Sequence, residues 1–176
     1  KGNFKGSLTK TYLISNAKID NLVLTATDKV WQNKANIYKT KITINDVDGK
    51  ALSAGKDYDK NIVYTYDATT TLADGTVKKA GTIVDAKDII PADTVIRVPA
   101  SANKNGNYHG TVSGTFRITK ADISKATVKI PAQTYTGKAI EPDDKIEIKL
   151  NKKSLSKENY EIVGYSNNIN KGTATV

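Results

Sequence analysis

The segment Gly2-Asn3-Phe4-Lys5-Gly6-Ser7 returns 104 positions later as Gly106-Asn107-Tyr108-His109-Gly110-Thr111. The same ungapped shift sets Thr11 on Thr115, Tyr12 on Phe116, Ile14 on Ile118, Ala17 on Ala121 and Ile19 on Ile123. It continues through Trp31 and Tyr135, Lys34 and Lys138, Ala35 and Ala139, Ile42 and Ile146, and Ile44 and Ile148. A repeat of this length points to similar modules in series rather than to one large core. It also sorts the side chains. What recurs in both copies serves the scaffold, and an individual function sits where the copies differ.

Within each copy the apolar residues alternate. Ile42 and Ile44 are separated by Thr43, and Ile62, Tyr64 and Tyr66 by Val63 and Thr65. Val112, Gly114, Phe116 and Ile118 alternate with Ser113, Thr115 and Arg117, and Ile146, Ile148 and Leu150 with Glu147 and Lys149. Period two with polar partners predicts strands that bury one face and wet the other. Between them lie Asp48-Gly49, Ala54-Gly55, Asp74-Gly75, Asn105-Gly106, Thr136-Gly137 and Asn167-Asn168, which tolerate the positive φ of tight turns. Short alternating strands at this spacing predict an all-β chain, an antiparallel sandwich of immunoglobulin type.

The repeat also sets the expected boundaries. Residues 1–15 read as the terminal strand of a preceding module, or as a donor strand for a neighbouring chain. Residues 16–119 form a module ending in Thr115-Phe116-Arg117-Ile118. Residues 120–176 form a second module that lacks its last strand, because no Gly-Asn-aromatic segment follows Lys171. A chain that begins at Lys1 without Met reads as a processed or excised fragment. The candidate strand-exchange residues are Phe4, Leu8, Tyr12 and Ile14, whose partners would be identical chains or neighbouring modules of the same protein. The first module also carries an insertion, about residues 67–93, with a hairpin expected around Asp74-Gly75.

Composition narrows the chemistry. With no Cys, neither disulfides nor thiolate chemistry is available. Lys and Arg number 27 against 18 acids; the simpler reading of this excess is a solvated surface that guards exposed strand edges, and the alternative is an anionic partner such as a wall polymer or glycan. The cations are scattered Lys rather than an Arg-rich patch with interleaved aromatics, which argues against nucleic acid. No apolar run reaches the length of a membrane span.

The run Tyr135-Thr136-Gly137-Lys138, then Asn159-Tyr160, then Tyr165-Ser166-Asn167-Asn168-Ile169-Asn170-Lys171-Gly172-Thr173-Ala174-Thr175-Val176 carries a resemblance. With Gly106 to Thr111 and Phe116-Arg117-Ile118, it resembles the bacterial immunoglobulin-like tandem repeats of Gram-positive surface and secreted proteins. The resemblance covers residues 120–176 best and is absent from the insertion. It implies an extracellular spacer, adhesin stalk or accessory module, secreted or associated with the cell wall, and no catalysis. The first module departs from the pattern at Tyr64-Thr65-Tyr66-Asp67, where the insertion begins.

The remaining candidates are few. His109 is the sole histidine and matches Lys5 in the repeat, as an exposed strand position would. Asn45-Asp46-Val47-Asp48-Gly49 begins like a calcium loop but has no Glu at its twelfth position, so it reads as a turn. Asp85, Asp88 and Asp93 could meet around a cation, though a solvated loop is the simpler reading. Asp143, Asp144 and Glu158 lie at turns, with nothing to mark a cleft for glycoside chemistry. Neither a cofactor nor a catalytic residue is expected. Tyr38 and Tyr66 have no aromatic counterpart in the repeat. They are therefore the candidates for a glycan platform in the alternative reading, a glycan- or wall-binding accessory module.

Overall fold

The computed structural model describes residue 2 and residues 5–176. Its elements are strands, turns and two short 3₁₀ helices, Ile123–Lys125 and Lys157–Asn159, with no α-helix among the described residues. The chain divides into two compact units, Lys1–Thr119 and Lys120–Val176.

Unit 1 contains β1 (Ala17–Lys18), β2 (Val23–Ala26), β3 (Lys29–Val30), β4 (Ile42–Asn45), β5 (Thr65–Tyr66), β6 (Thr70–Thr71), β7 (Val77–Lys78), β8 (Val95–Ser101), β9 (Tyr108–His109) and β10 (Thr111–Thr119). Its backbone is the antiparallel β8–β10 ladder, running from Thr111↔Ser101 to Arg117↔Val95. β5 lengthens that sheet on one side and β3, parallel to β10, on the other. A second sheet pairs β2 with β4 and lies against β10. The chain changes sheets between β2 and β3, where the Asp28 carboxylate accepts the Arg117 N–H at 2.7 Å.

Alternation explains the layering. Ile96, Val98 and Ala100 of β8 and Val112, Phe116 and Ile118 of β10 are buried, and the residues between them face outward. They meet Leu24 and Ile44 of the second sheet. Burying each such side chain contributes about 1.5–3 kcal/mol. Gly114 interrupts the inward row for a steric reason: a Cβ there would stand 2.6 Å from the Leu24 carbonyl oxygen.

The insertion is part of this core. Leu72, Val84 and Ile90 are buried with the sandwich residues. Its hairpin forms as expected, β6 pairing with β7 across a turn in which Gly75 has φ +83°.

Unit 2 contains β11 (Thr127–Lys129), β12 (Glu147–Leu150) and β13 (Lys153–Ser154). β11 pairs with β12 as Thr127↔Lys149, Val128↔Ile148 and Lys129↔Glu147. Subtracting 104 gives Val23↔Asn45, Leu24↔Ile44 and Thr25↔Thr43, which is the observed β2–β4 register. The bend before the pair recurs too: Leu22 N–H donates to the Ile19 carbonyl at 3.0 Å, and Ala126 N–H to that of Ile123 at 2.8 Å.

One residue is lost after β12. Asn45 bridges Ala51 in unit 1, whereas Leu150 pairs with Lys153 across only Asn151 and Lys152, both at positive φ. A two-residue hairpin of this hand matches the strand twist. This turn is not legible in the residue pattern, because glycine is absent from it.

Burial separates the two copies. Leu24 is 6% exposed, and its equivalent Val128 is 54% exposed. Ile19 and Ile44 are buried, whereas Ile123 is exposed and Ile148 half-buried. Unit 2 has one sheet and, among the described residues, no counterpart of β10 to cover it.

Gly114→Ala is expected to destabilise unit 1 by about 2–3 kcal/mol, since a main-chain carbonyl cannot yield as a side chain can. Urea unfolding followed at unit 1 checks this. A change under about 0.5 kcal/mol would contradict the packing described.

Candidate functional site

Tyr66 is the side chain around which the insertion closes. It is fully buried, and its hydroxyl donates to Oδ2 of Asp88 at 3.0 Å. The same oxygen accepts the Asp85 N–H at 2.9 Å, and the other carboxylate oxygen lies 3.0 Å from Nζ of Lys78. β5 supplies the tyrosine, β7 the lysine and the following loop the aspartate.

Burial pushes the Asp88 carboxyl up, but Lys78, the Asp85 amide and the Tyr66 hydroxyl outweigh it and hold the group below its ordinary range. Burial first, then the bond to Asp88, push the Tyr66 hydroxyl well above its usual value. Each polar atom in the cluster meets a partner and the tyrosine ring is sealed from solvent. The arrangement braces the insertion and presents no reacting group.

The structure corrects the glycan platform. Tyr66 is 0% exposed and Tyr38 only 9%, so neither ring offers a face to a sugar. Tyr38 stands edge-on to Tyr64 at 5.4 Å, and Tyr64 edge-on to Phe116 at 6.3 Å, an aromatic row in which Tyr38 and Phe116 are buried and Tyr64 is half-buried.

The acidic candidates are engaged in turns. Oδ1 of Asp46 accepts the N–H groups of Asp48 and Lys50, and Oδ1 of Asp85 accepts that of Lys87. Asp88 serves the Tyr66 cluster, and the Asp93 carbonyl accepts Arg117. Among the described residues no three His, Asp or Glu side chains gather as a cation site. His109 is exposed in β9, beside Lys18. Asp143 accepts the Tyr165 hydroxyl, and Glu158 accepts that of Ser156.

Unit 2 holds an apolar cleft of about 390 Å³, lined by Ile130, Tyr135, Ile140, Tyr165, Ile169 and Val176 among others. Its wall is set by Asn168, whose carbonyl accepts Ile140 N–H at 3.0 Å while its side-chain amide donates back to the Ile140 carbonyl. Ser166 and Thr175 exchange two 2.9 Å backbone bonds along it. The Tyr165 hydroxyl, raised by desolvation and by its bond to Asp143, is pushed up to about 12. Sequence reading assigned Tyr135 to the scaffold, as the match of Trp31, and missed the cleft.

Of the strand-exchange candidates, Phe4 lies outside the described residues. Leu8, Tyr12 and Ile14 are exposed, and no described residue from 5 to 16 belongs to a strand. Comparison with protein-family models, curated proteins and solved structures finds no match. No helix among the described residues is long and apolar enough to cross a membrane.

Asp88→Asn is expected to cost unit 1 about 2 kcal/mol at neutral pH, because it leaves Lys78 without its charge partner. A carboxyl held below its ordinary value stabilises above about pH 4 and loses that contribution as pH falls through its folded value. The substitution therefore flattens the acid limb of the stability curve. Thermal unfolding across pH 2–7 checks this (limits about those of the titration), and superimposable acid limbs would contradict it.

Proposed function

We propose that the chain is a structural spacer from a bacterial surface or secreted protein, built of tandem immunoglobulin-like modules in the extracellular space. The observation that supports this reading most is how the chain enters and leaves unit 1. It enters at Ala17, parallel to Tyr108, and leaves at Thr119, beside Val30 of the parallel β3. From Tyr108 to Thr119 the path follows β9 and β10, roughly 30 Å at the rise of a strand. Entry and exit thus lie at opposite ends, so the module adds length to a series.

The same geometry suits a load. Pulling back on Ala17 and forward on Thr119 shears parallel strand pairs, whose hydrogen bonds share the force instead of parting one at a time. The recurrence of the β2–β4 register in unit 2 supports a repeated scaffold. No observation favours the glycan-binding alternative: the insertion is packed into the core and its two tyrosine candidates are buried.

Force spectroscopy tests the reading. Unit 1 is expected to unfold in one peak with a length gain of about 340 Å, the extended span of the roughly hundred residues from Ala17 to Thr119 less the folded end-to-end distance. Featureless stretching, with no peak of that length, would contradict the spacer role.

A further inference from the structure

The two copies carry opposite charges at one scaffold position, and in unit 1 that position borders a cavity. Tyr64 and Tyr165 hold equivalent places. Tyr64 precedes the bridging residue Thr65, and Tyr165 precedes the bridging residue Ser166. Tyr64 stands against Tyr38, and Tyr165 shares a wall with Pro142, the residue 104 positions after Tyr38. In unit 2 the Tyr165 hydroxyl donates to Oδ1 of Asp143. The same shift sets Lys39 where Asp143 stands. Unit 1 thus keeps the tyrosine but has a cation in place of the carboxylate that receives its proton.

The cavity beside Lys39 measures about 420 Å³, and its lining includes Lys39, Thr40, Tyr58, Lys60, Asn61 and Tyr64. Every lining residue lies between positions 39 and 64, within unit 1. The volume falls in the range that small-molecule sites occupy. Among the described residues neither Lys39 nor Lys60 forms an ion pair. Asp57, the neighbour of Tyr58, turns Oδ2 to the Ser53 N–H at 2.8 Å, and the Thr40 hydroxyl is committed to the Thr27 carbonyl. Two ammonium groups, two phenols and the Asn61 carboxamide therefore border the space.

Burial pushes the Tyr64 hydroxyl above its ordinary value, against the pull of the Thr40 main chain, and burial with the Asp57 charge does the same for Tyr58. Both phenols are protonated at neutral pH and are donors to an anion.

We propose that this cavity binds a small organic carboxylate, with Lys39 and Lys60 supplying the charge and the Tyr64 hydroxyl donating to the carboxylate as Tyr165 does to Asp143. A carboxylate has two oxygens, one for the phenol and one for an ammonium group, and such charge-assisted bonds are the strong ones. Unit 2 meets this need from its own chain and unit 1 from outside. The inference goes beyond the spacer reading and does not depend on it.

The test titrates the full 176-residue chain with sodium gluconate at fixed ionic strength and follows amide chemical shifts. Shifts are expected to converge on Thr40, Ile42, Asn61 and Tyr64, with a Kd on the order of 1 mM. Sorbitol, the same carbon chain without the carboxylate, is expected to cause none. Lys39→Met is expected to weaken gluconate binding about tenfold and Tyr64→Phe about fivefold. Lys39→Asp is expected to abolish it, by setting a carboxylate of the chain itself beside Tyr64. Lys39 is exposed and phenylalanine keeps the ring of Tyr64, so unit 1 keeps its fold, and unchanged shifts elsewhere check this. Shifts spread evenly over the lysines, gluconate and sorbitol acting alike, or inorganic phosphate binding as tightly as gluconate would each overturn the proposal. So would a Lys39→Asp variant that binds like the parent chain, or no localised shift up to about 50 mM gluconate. The force peak of unit 1 does not depend on this cavity, so failure of binding and failure of the spacer reading are separable.

Discussion

Leu24 and Ile44 on one sheet face Ile96, Val98, Phe116 and Ile118 on the other, and this apolar contact decides the state of both units. Strand pairing alone does not make a stable body in water, because each two-stranded ladder leaves one face wet. In unit 1 the β8–β10 ladder covers that face, so ordering the chain is offset by removing the side chains from water. Unit 2 repeats the ladder of β11 and β12 in the same register without the cover, and Val128 is left in solvent at the position Leu24 holds. The difference lies in what lies opposite the sheet, not in the sheet itself.

The insertion shows how a scaffold of this kind accepts additional chain. It leaves after Tyr66 and returns before β8, so it joins the sandwich at one end of the β5–β8 pair. A solvated loop would hold its position weakly. This one is fixed by Leu72, Val84 and Ile90 in the core and by the Tyr66–Asp88–Lys78 cluster. A buried carboxylate is tolerable there because an ammonium group, a hydroxyl and a main-chain amide all meet it.

Much of the layering was legible in the sequence, since period-two alternation and a constant shift together imply both inward faces and strand partners. The all-β class and the insertion's hairpin were legible in that way. The tyrosines were not. Tyr66 has no aromatic counterpart because the insertion it anchors has none, and that lack of recurrence was read as freedom to bind. Tyr38 corresponds by the shift to Pro142, itself buried, so that position belongs to the scaffold with different side chains in the two copies. The Asn151-Lys152 turn escaped notice because positive φ usually advertises itself through glycine. Strand lengths were overestimated as well: the alternation from Ile62 to Tyr66 yields ladder pairing only at Thr65 and Tyr66.

Native-state amide exchange on the dilute chain weighs the opposed apolar face against the ladder itself. If the covering sheet is what confers stability, Leu24, Ile44 and the β8–β10 amides exchange slowest, and the matching amides of β11 and β12 exchange orders of magnitude faster despite identical register. Equal protection of the two ladders would show that pairing suffices, and would contradict the account.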